Sequence, residues 1–228
     1  VLENTAREVM EKGGFQAVSM EETMEIAFRY ADEYAEERFS QLESSRLQYL
    51  FRRNRRELEM VVEELWRELK DARFAPAHFE LAFGGEGALD AIGIPAKEMS
   101  AVLRGFVDRV DIWNEDGRNY FRVVDYKTGK VLDDDVDIHD GNAEAIAENI
   151  FAPDVKDRPK IAFQFFIYDY LVRQHSQVEG RDIFNCVYST SKIFREAPVT
   201  MPMNRKFFDA VSGHLEKMVG EMCDPDVG

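Results

Sequence analysis

At 228 residues, with 45% hydrophobic and 32% charged residues, the chain has the size and composition of one soluble globular domain with a full core. Two cysteines, Cys186 and Cys223, exclude a disulfide framework, and the most apolar run, 161–172, contains Gln164 and Asp169 and is too short to cross a bilayer, so the expected setting is a reducing cytoplasm with no membrane contact. A formal net charge of −15 argues against a broadly basic face that would hold nucleic acid tightly by itself.

Helical period runs over 2–12, 20–42 and 46–73. Gly13-Gly14 ends the first helix. Ser19 can cap the second, with Glu22 three residues on to complete a capping box. On the third, Leu58, Val61, Val62, Leu65, Trp66 and Leu69 form a core stripe. The cluster Arg46, Arg52, Arg53, Arg55 and Arg56 reads as a solvated face. Strands are predicted over about 78–83, 88–94, 100–113 and 120–127. A polar insertion at 133–159 opens on an acidic run, Asp133 to Asp140, read as solvated, and carries a short helix near 143–150. Pro153 and Pro159 mark its irregular ends. A helix from about 160 to 174 follows, then strands near 182–189 and 193–197, and a last helix over 204–222. Cys186 is expected as a small buried strand residue. The expected organisation is a single domain over 1–228: a helical part at 1–75, a sheet core at 76–200, and a C-terminal helix at 201–228. The fold class is α/β, a central mixed sheet with helices on both sides.

Two of these strands carry the chemistry. Gly105-Phe106-Val107-Asp108-Arg109-Val110-Asp111 and Val123-Val124-Asp125-Tyr126-Lys127-Thr128-Gly129 flank Asp116-Gly117, a strong hairpin signal. A turn at those two residues pairs strand positions whose numbers sum to 233, which sets Asp108 opposite Asp125. Alternation puts Asp108 with Phe106, Val110 and Ile112, and Asp125 with Phe121, Val123 and Lys127. Two carboxylates then face each other roughly 5 Å apart at Cβ on an apolar surface. Like charges so placed destabilise a strand pair, and burial adds to the cost. A divalent cation removes both penalties and takes oxygen ligands of this kind. With Lys127 pointing into the same space, the set suggests metal-assisted hydrolysis of a phosphate ester. The competing reading is a surface hairpin with Asp125 and Lys127 as an exposed ion pair.

The pattern Gly-x-x-Asp-Arg-Val-Asp, then Val-Val-Asp-Tyr-Lys-Thr-Gly-Lys, resembles the PD-(D/E)XK nuclease superfamily, its RecB-like branch, and within that the C-terminal nuclease domain of AddB-type helicase–nuclease subunits. The resemblance implies a restriction-endonuclease-like α/β fold, a central mixed β-sheet flanked by α-helices. It implies Asp108 and Asp125 as ligands of a catalytic Mg2+ or Mn2+, the Tyr126 backbone carbonyl as a further ligand, and Lys127 as the group that assists the attacking water. Gln164 and Tyr168 match the family's helical Gln-x-x-x-Tyr, and Glu80, in a strand-like stretch upstream, matches an acid near the metal. The implied activity is DNA phosphodiester hydrolysis, with a helicase subunit of an AddAB-type complex as partner, in DNA repair and recombination. AddB-type domains also hold an iron–sulfur cluster, whose cysteines are not in this chain. The start at Val1-Leu2-Glu3 and the end near Cys223 match mid-domain positions of that family, so the chain is expected to be an excised part of a larger protein. The alternative is a nuclease-like module without catalysis that guides DNA or docks a partner.

Overall fold

The computed structural model describes residues 1–39, 45–85, 89–96, 99–127, 129, 131, 136–176, 182–189 and 200–224. Asp116 and Gly117 have φ of 51° and 78°, the left-handed backbone that a two-residue type I′ turn requires. From that turn β4 (Gly105–Glu115) and β5 (Arg118–Lys127) run back antiparallel. Their pairs, from Glu115↔Arg118 through Val110↔Val123 to Arg109↔Val124, keep the predicted register. On the far side of β4 lies β1 (Ala75–Phe83), antiparallel, with a register shift between Pro76 and His78. On the far side of β5 lies β6 (Ile183–Ser189), which runs parallel to it, and β7 (Thr200–Pro202) closes the edge antiparallel. The sheet order is β1-β4-β5-β6-β7.

Parallel neighbours need a crossover. Here it carries α4 (Ala143–Phe151) and α5 (Lys160–Ser176). These two helices and α6 (Arg205–Met222) cover one sheet face. Val110, Val123 and Ile183 pack there against Phe166, Leu171 and Phe208. The other face carries Val124, Cys186 and Tyr188 against α1 (Leu2–Glu11), α2 (Met20–Phe39) and α3 (Ser45–Asp71), through Ala6, Val9, Ile26, Val61, Leu65 and Leu69. Helices therefore lie on both sides of a mixed sheet, as expected. Among the described residues no helix is long and apolar enough to cross a membrane.

Some expectations shift. The strand read over 100–113 is two strands: β3 (Met99–Leu103), which pairs with β2 (Ile92–Ala96) in a separate two-stranded sheet, and β4, with Arg104 between them. A continuous run of β-forming residues carries no mark of the change of sheet. The strand read over 88–94 accordingly moves to Ile92–Ala96, leaving Leu89 as an isolated bridge to Phe83. Half of the capping box forms. Ser19 Oγ accepts from the Glu22 N–H at 3.1 Å, but the Glu22 carboxylate turns to Lys12, 2.8 Å away. Arg53 and Arg55 pair with Glu57 and Asp32, in keeping with a solvated face. The strand read over 193–197, the end of the second helix at 40–42 and most of the acidic run lie outside the described residues.

Candidate active site

The β4–β5 ladder ends at Arg109↔Val124, one pair short of Asp108 and Asp125. Beyond it β4 stays with β1, pairing Val107 with Leu81, and β5 stays with β6, pairing Asp125 with Val187. The strands fork. Val107 and Val110 both reach the α5–α6 core although they stand three apart, so the side-chain alternation of β4 breaks between them. Phe106 is 65% exposed, so the apolar surroundings expected for Asp108 hold at Val110 and fail at Phe106. In the opened fork the Asp108 carboxylate takes the place of a ladder acceptor: its Oδ2 accepts from the Tyr126 backbone N–H at 3.0 Å.

Asp125 is the buried member of the pair, its side chain 2% exposed. Lys127 Nζ lies 2.8 Å from Asp125 Oδ2. From the α5 side, Gln164 Nε2 donates to Asp125 Oδ1 at 2.7 Å, while Gln164 Oε1 accepts from Lys127 Nζ. Tyr168, one helical turn on, shares a hydrogen bond with Gln164 and donates to Asp125 Oδ1 at 3.4 Å. Asp108, Asp125, Lys127, Gln164 and Tyr168 are thus gathered at one place. An exposed ion pair on a surface hairpin does not describe it.

Burial raises the Asp125 pKa, Lys127 pulls it down, and Asp108 pushes it up again. Burial raises the Tyr168 phenol well above its ordinary value, so it stays protonated as a donor. Asp125 Oδ2 is the atom left over. It is enclosed and lies at ion-pair distance from Lys127, yet receives no aligned hydrogen bond.

Residues 7–228 match the PD-(D/E)XK nuclease superfamily. The chain belongs to that superfamily. Among curated proteins, an ATP-dependent helicase/deoxyribonuclease subunit of the AddB type from Caldanaerobacter subterraneus subsp. tengcongensis is 30% identical over 149 residues, which is 62% of this chain and 13% of that protein. The proteins of the same name from Alkaliphilus oremlandii and Moorella thermoacetica are each 36% identical, over 89 and 86 residues and 8% of their length. The chain spans about an eighth, or less, of the length of the relatives it matches.

PD-(D/E)XK nucleases generally use divalent metals. The residues at the fork fit such an ion: a buried carboxylate oxygen without a hydrogen bond, a second carboxylate across the fork, and a backbone carbonyl between them at Tyr126. Among the described residues, no three Asp, Glu, His or Cys side chains converge to hold an ion. Glu80 is therefore not drawn in. It lies between Phe79 and Leu81, whose partners Arg109 and Val107 flank Asp108, but its φ is 45°. It lines a groove with Arg7 and Glu11 of α1.

Sequence reasoning missed what stands behind the nuclease site. Arg109 and Asp111 of β4 are fully buried, and Arg122 of β5 nearly so. Asp111 lies between the two arginines, 2.8 Å from Arg109 Nε and 2.8 Å from Arg122 Nε. Glu68 of α3 binds Arg122 and accepts from Tyr188. The signal was available, since Asp111 and Arg122 are cross-strand partners in the same 233 register.

Proposed function

We propose that this chain is a metal-dependent nuclease domain that hydrolyses DNA phosphodiester bonds within an AddAB-type helicase–nuclease complex. One observation carries the reading: Asp125 is held at the fork by Lys127 and Gln164 with Asp108 beside it, the acid–acid–lysine set that phosphodiester hydrolysis needs. The names of the relatives support DNA as substrate and a helicase as partner. A cytoplasmic setting goes with this reading, and the free, buried Cys186 is at home in a reducing compartment.

Asp108, Asp125 and the Tyr126 carbonyl would hold the ion, Mg2+ or Mn2+, which suits a site with one or two carboxylates and several waters. The chemistry supplied by a bound ion is neutralisation of phosphoryl charge and acidification of water. Gln164 orients Asp125 by donating to Oδ1, which leaves Oδ2 free to face the ion. Lys127 keeps a cation beside that oxygen, where it can orient the attacking water and stabilise developing phosphoryl charge. Tyr168 donates into the same carboxylate and keeps its proton.

The test is single-turnover cleavage of a labelled duplex with and without Mg2+ or Mn2+. Cleavage that needs the ion and disappears in Asp125→Ala is the expected result. Ion-independent cleavage, or none with ion and helicase partner present, contradicts it. The latter would favour the non-catalytic docking module, a reading to which the net charge of −15 lends weight.

A further inference from the structure

The middle residue of Asp125-Tyr126-Lys127 faces away from the site, and its side chain is held there by a cation that is itself inaccessible. Arg109 Nη1 donates to the Tyr126 hydroxyl at 2.7 Å. The Arg109 guanidinium lies over the rings of Tyr126 and Tyr188, 5.6 Å and 5.1 Å from their centroids. Asp111 fixes the guanidinium from its other edge, with Oδ2 accepting from Arg109 Nη2 at 3.0 Å. Arg122 reaches Asp111 Oδ2 at 2.8 Å through Nε, and Glu68 holds Arg122 to α3. Two arginines and two carboxylates give a neutral, largely water-free cluster.

Such a cluster is costly to assemble and adds little stability over apolar packing of the same volume. Its geometric effect is specific. Because β4 and β5 have already parted at Asp108, no β4–β5 ladder pair holds Tyr126 in place. Its backbone N–H is engaged by Asp108 and its phenol by Arg109. A ligand set confined to two carboxylates and one carbonyl depends heavily on where the carbonyl points.

We propose that Arg109, fixed by Asp111, is a positioning residue that pins Tyr126 from the rear face of the sheet and so sets the backbone of Asp125-Tyr126-Lys127 for divalent metal binding at the front. The inference rests on the metal site of the proposed function. It assigns Arg109 and the Tyr126 hydroxyl a role with no contact to substrate or ion.

The experiment is Mn2+ titration of the protein by isothermal calorimetry, at a temperature well below every variant's melting point. Four proteins are compared: unaltered, Tyr126→Phe, Leu65→Ala and Asp125→Ala. Tyr126→Phe keeps the ring and removes only the atom that Arg109 grips. It should weaken Mn2+ on the order of 10-fold, the effect typical of losing a group that orients a ligand. Leu65→Ala loosens the same rear core without touching Tyr126 and should leave Mn2+ affinity unchanged, although it lowers the melting temperature more. Asp125→Ala should abolish binding. Unchanged affinity in Tyr126→Phe, with binding lost in Asp125→Ala, overturns the positioning role and leaves the metal site standing. Equal weakening in Leu65→Ala overturns it too, because any loosening would then suffice. Binding that survives in Asp125→Ala, or is absent in the unaltered protein, refutes the metal site and the inference with it.

Discussion

Gln164 Nε2 donates to Asp125 Oδ1 across 2.7 Å, and the same carboxamide accepts from Lys127 through its Oε1. One α5 side chain thus bridges the acid and the cation of the site and fixes which carboxylate oxygen is left for other ligands. Removing the bridge should cost function more than stability. Gln164→Ala is expected to lower single-turnover cleavage about 10- to 100-fold, as loss of a group that orients a ligand does. The melting temperature should move by only a few degrees, because the residue is half-buried at the edge of the core. Wild-type cleavage by Gln164→Ala, under subsaturating Mg2+, would show that the bridge is incidental.

A second buried acid predicts a pH effect unrelated to catalysis. Asp169 of α5 accepts from Asn185 Nδ2 of β6 at 3.0 Å, and burial pushes its pKa up to about 8 from an ordinary 3.8. Asp169 Oδ1 and Asn185 Oδ1 are both enclosed without a donor. A proton on Oδ1 would let the acid and the amide form a doubly bonded pair. The folded pKa is raised, so this stability is complete below about pH 3.8 and is lost progressively as pH rises through about 8. Asp169→Asn imitates the protonated acid. Its stability advantage over the unaltered protein should grow between pH 4 and pH 8 and level off above, as read by urea unfolding at several pH values. An advantage that does not vary with pH would mean that Asp169 is not protonated in the folded state.

Asp111 is the common partner of two buried arginines. Asp111→Ala leaves both cations without it in a site closed to water. The expected cost is about 3–5 kcal/mol, measured by urea unfolding. A cost below about 1 kcal/mol would mean that water enters the cluster and shields it.

Gly117 has φ of 78°, and nothing lies within 4 Å of where a Cβ would stand. The cost of Gly117→Ala is therefore conformational rather than steric, about 1–2 kcal/mol. An equal or higher melting temperature for Gly117→Ala would show that the turn can relax to a different type and that the 233 register does not depend on it.

Much of this was legible in the chain because local rules act within the hairpin. Asp116-Gly117 set the register, the register brought the acids together, and an i, i+4 pair on α5 supplied Gln164 and Tyr168. The fork was not legible. Alternation assumes continued pairing, and pairing stops at Arg109↔Val124 because β4 follows β1 while β5 follows β6. That choice is made by long-range contacts. Phe106 was misjudged for the same reason. Arg109 and Asp111 escaped notice because charged residues are rarely fully buried, and only their mutual pairing allows it here. Asp169 sits in an apolar run, where a protonated carboxyl looks no different in sequence from a solvated one.

The central claim is that Asp125-Tyr126-Lys127 forms a catalytic triplet, and the most direct measurement is single-turnover cleavage of a labelled duplex by Lys127→Ala, with Mg2+ and the helicase partner present. The account predicts a loss on the order of 10²–10³ in rate. Melting temperature and duplex affinity should stay close to wild type, because Lys127 Nζ is partly exposed and acts on charge that develops in the transition state. Cleavage at the wild-type rate by a folded Lys127→Ala protein would contradict it.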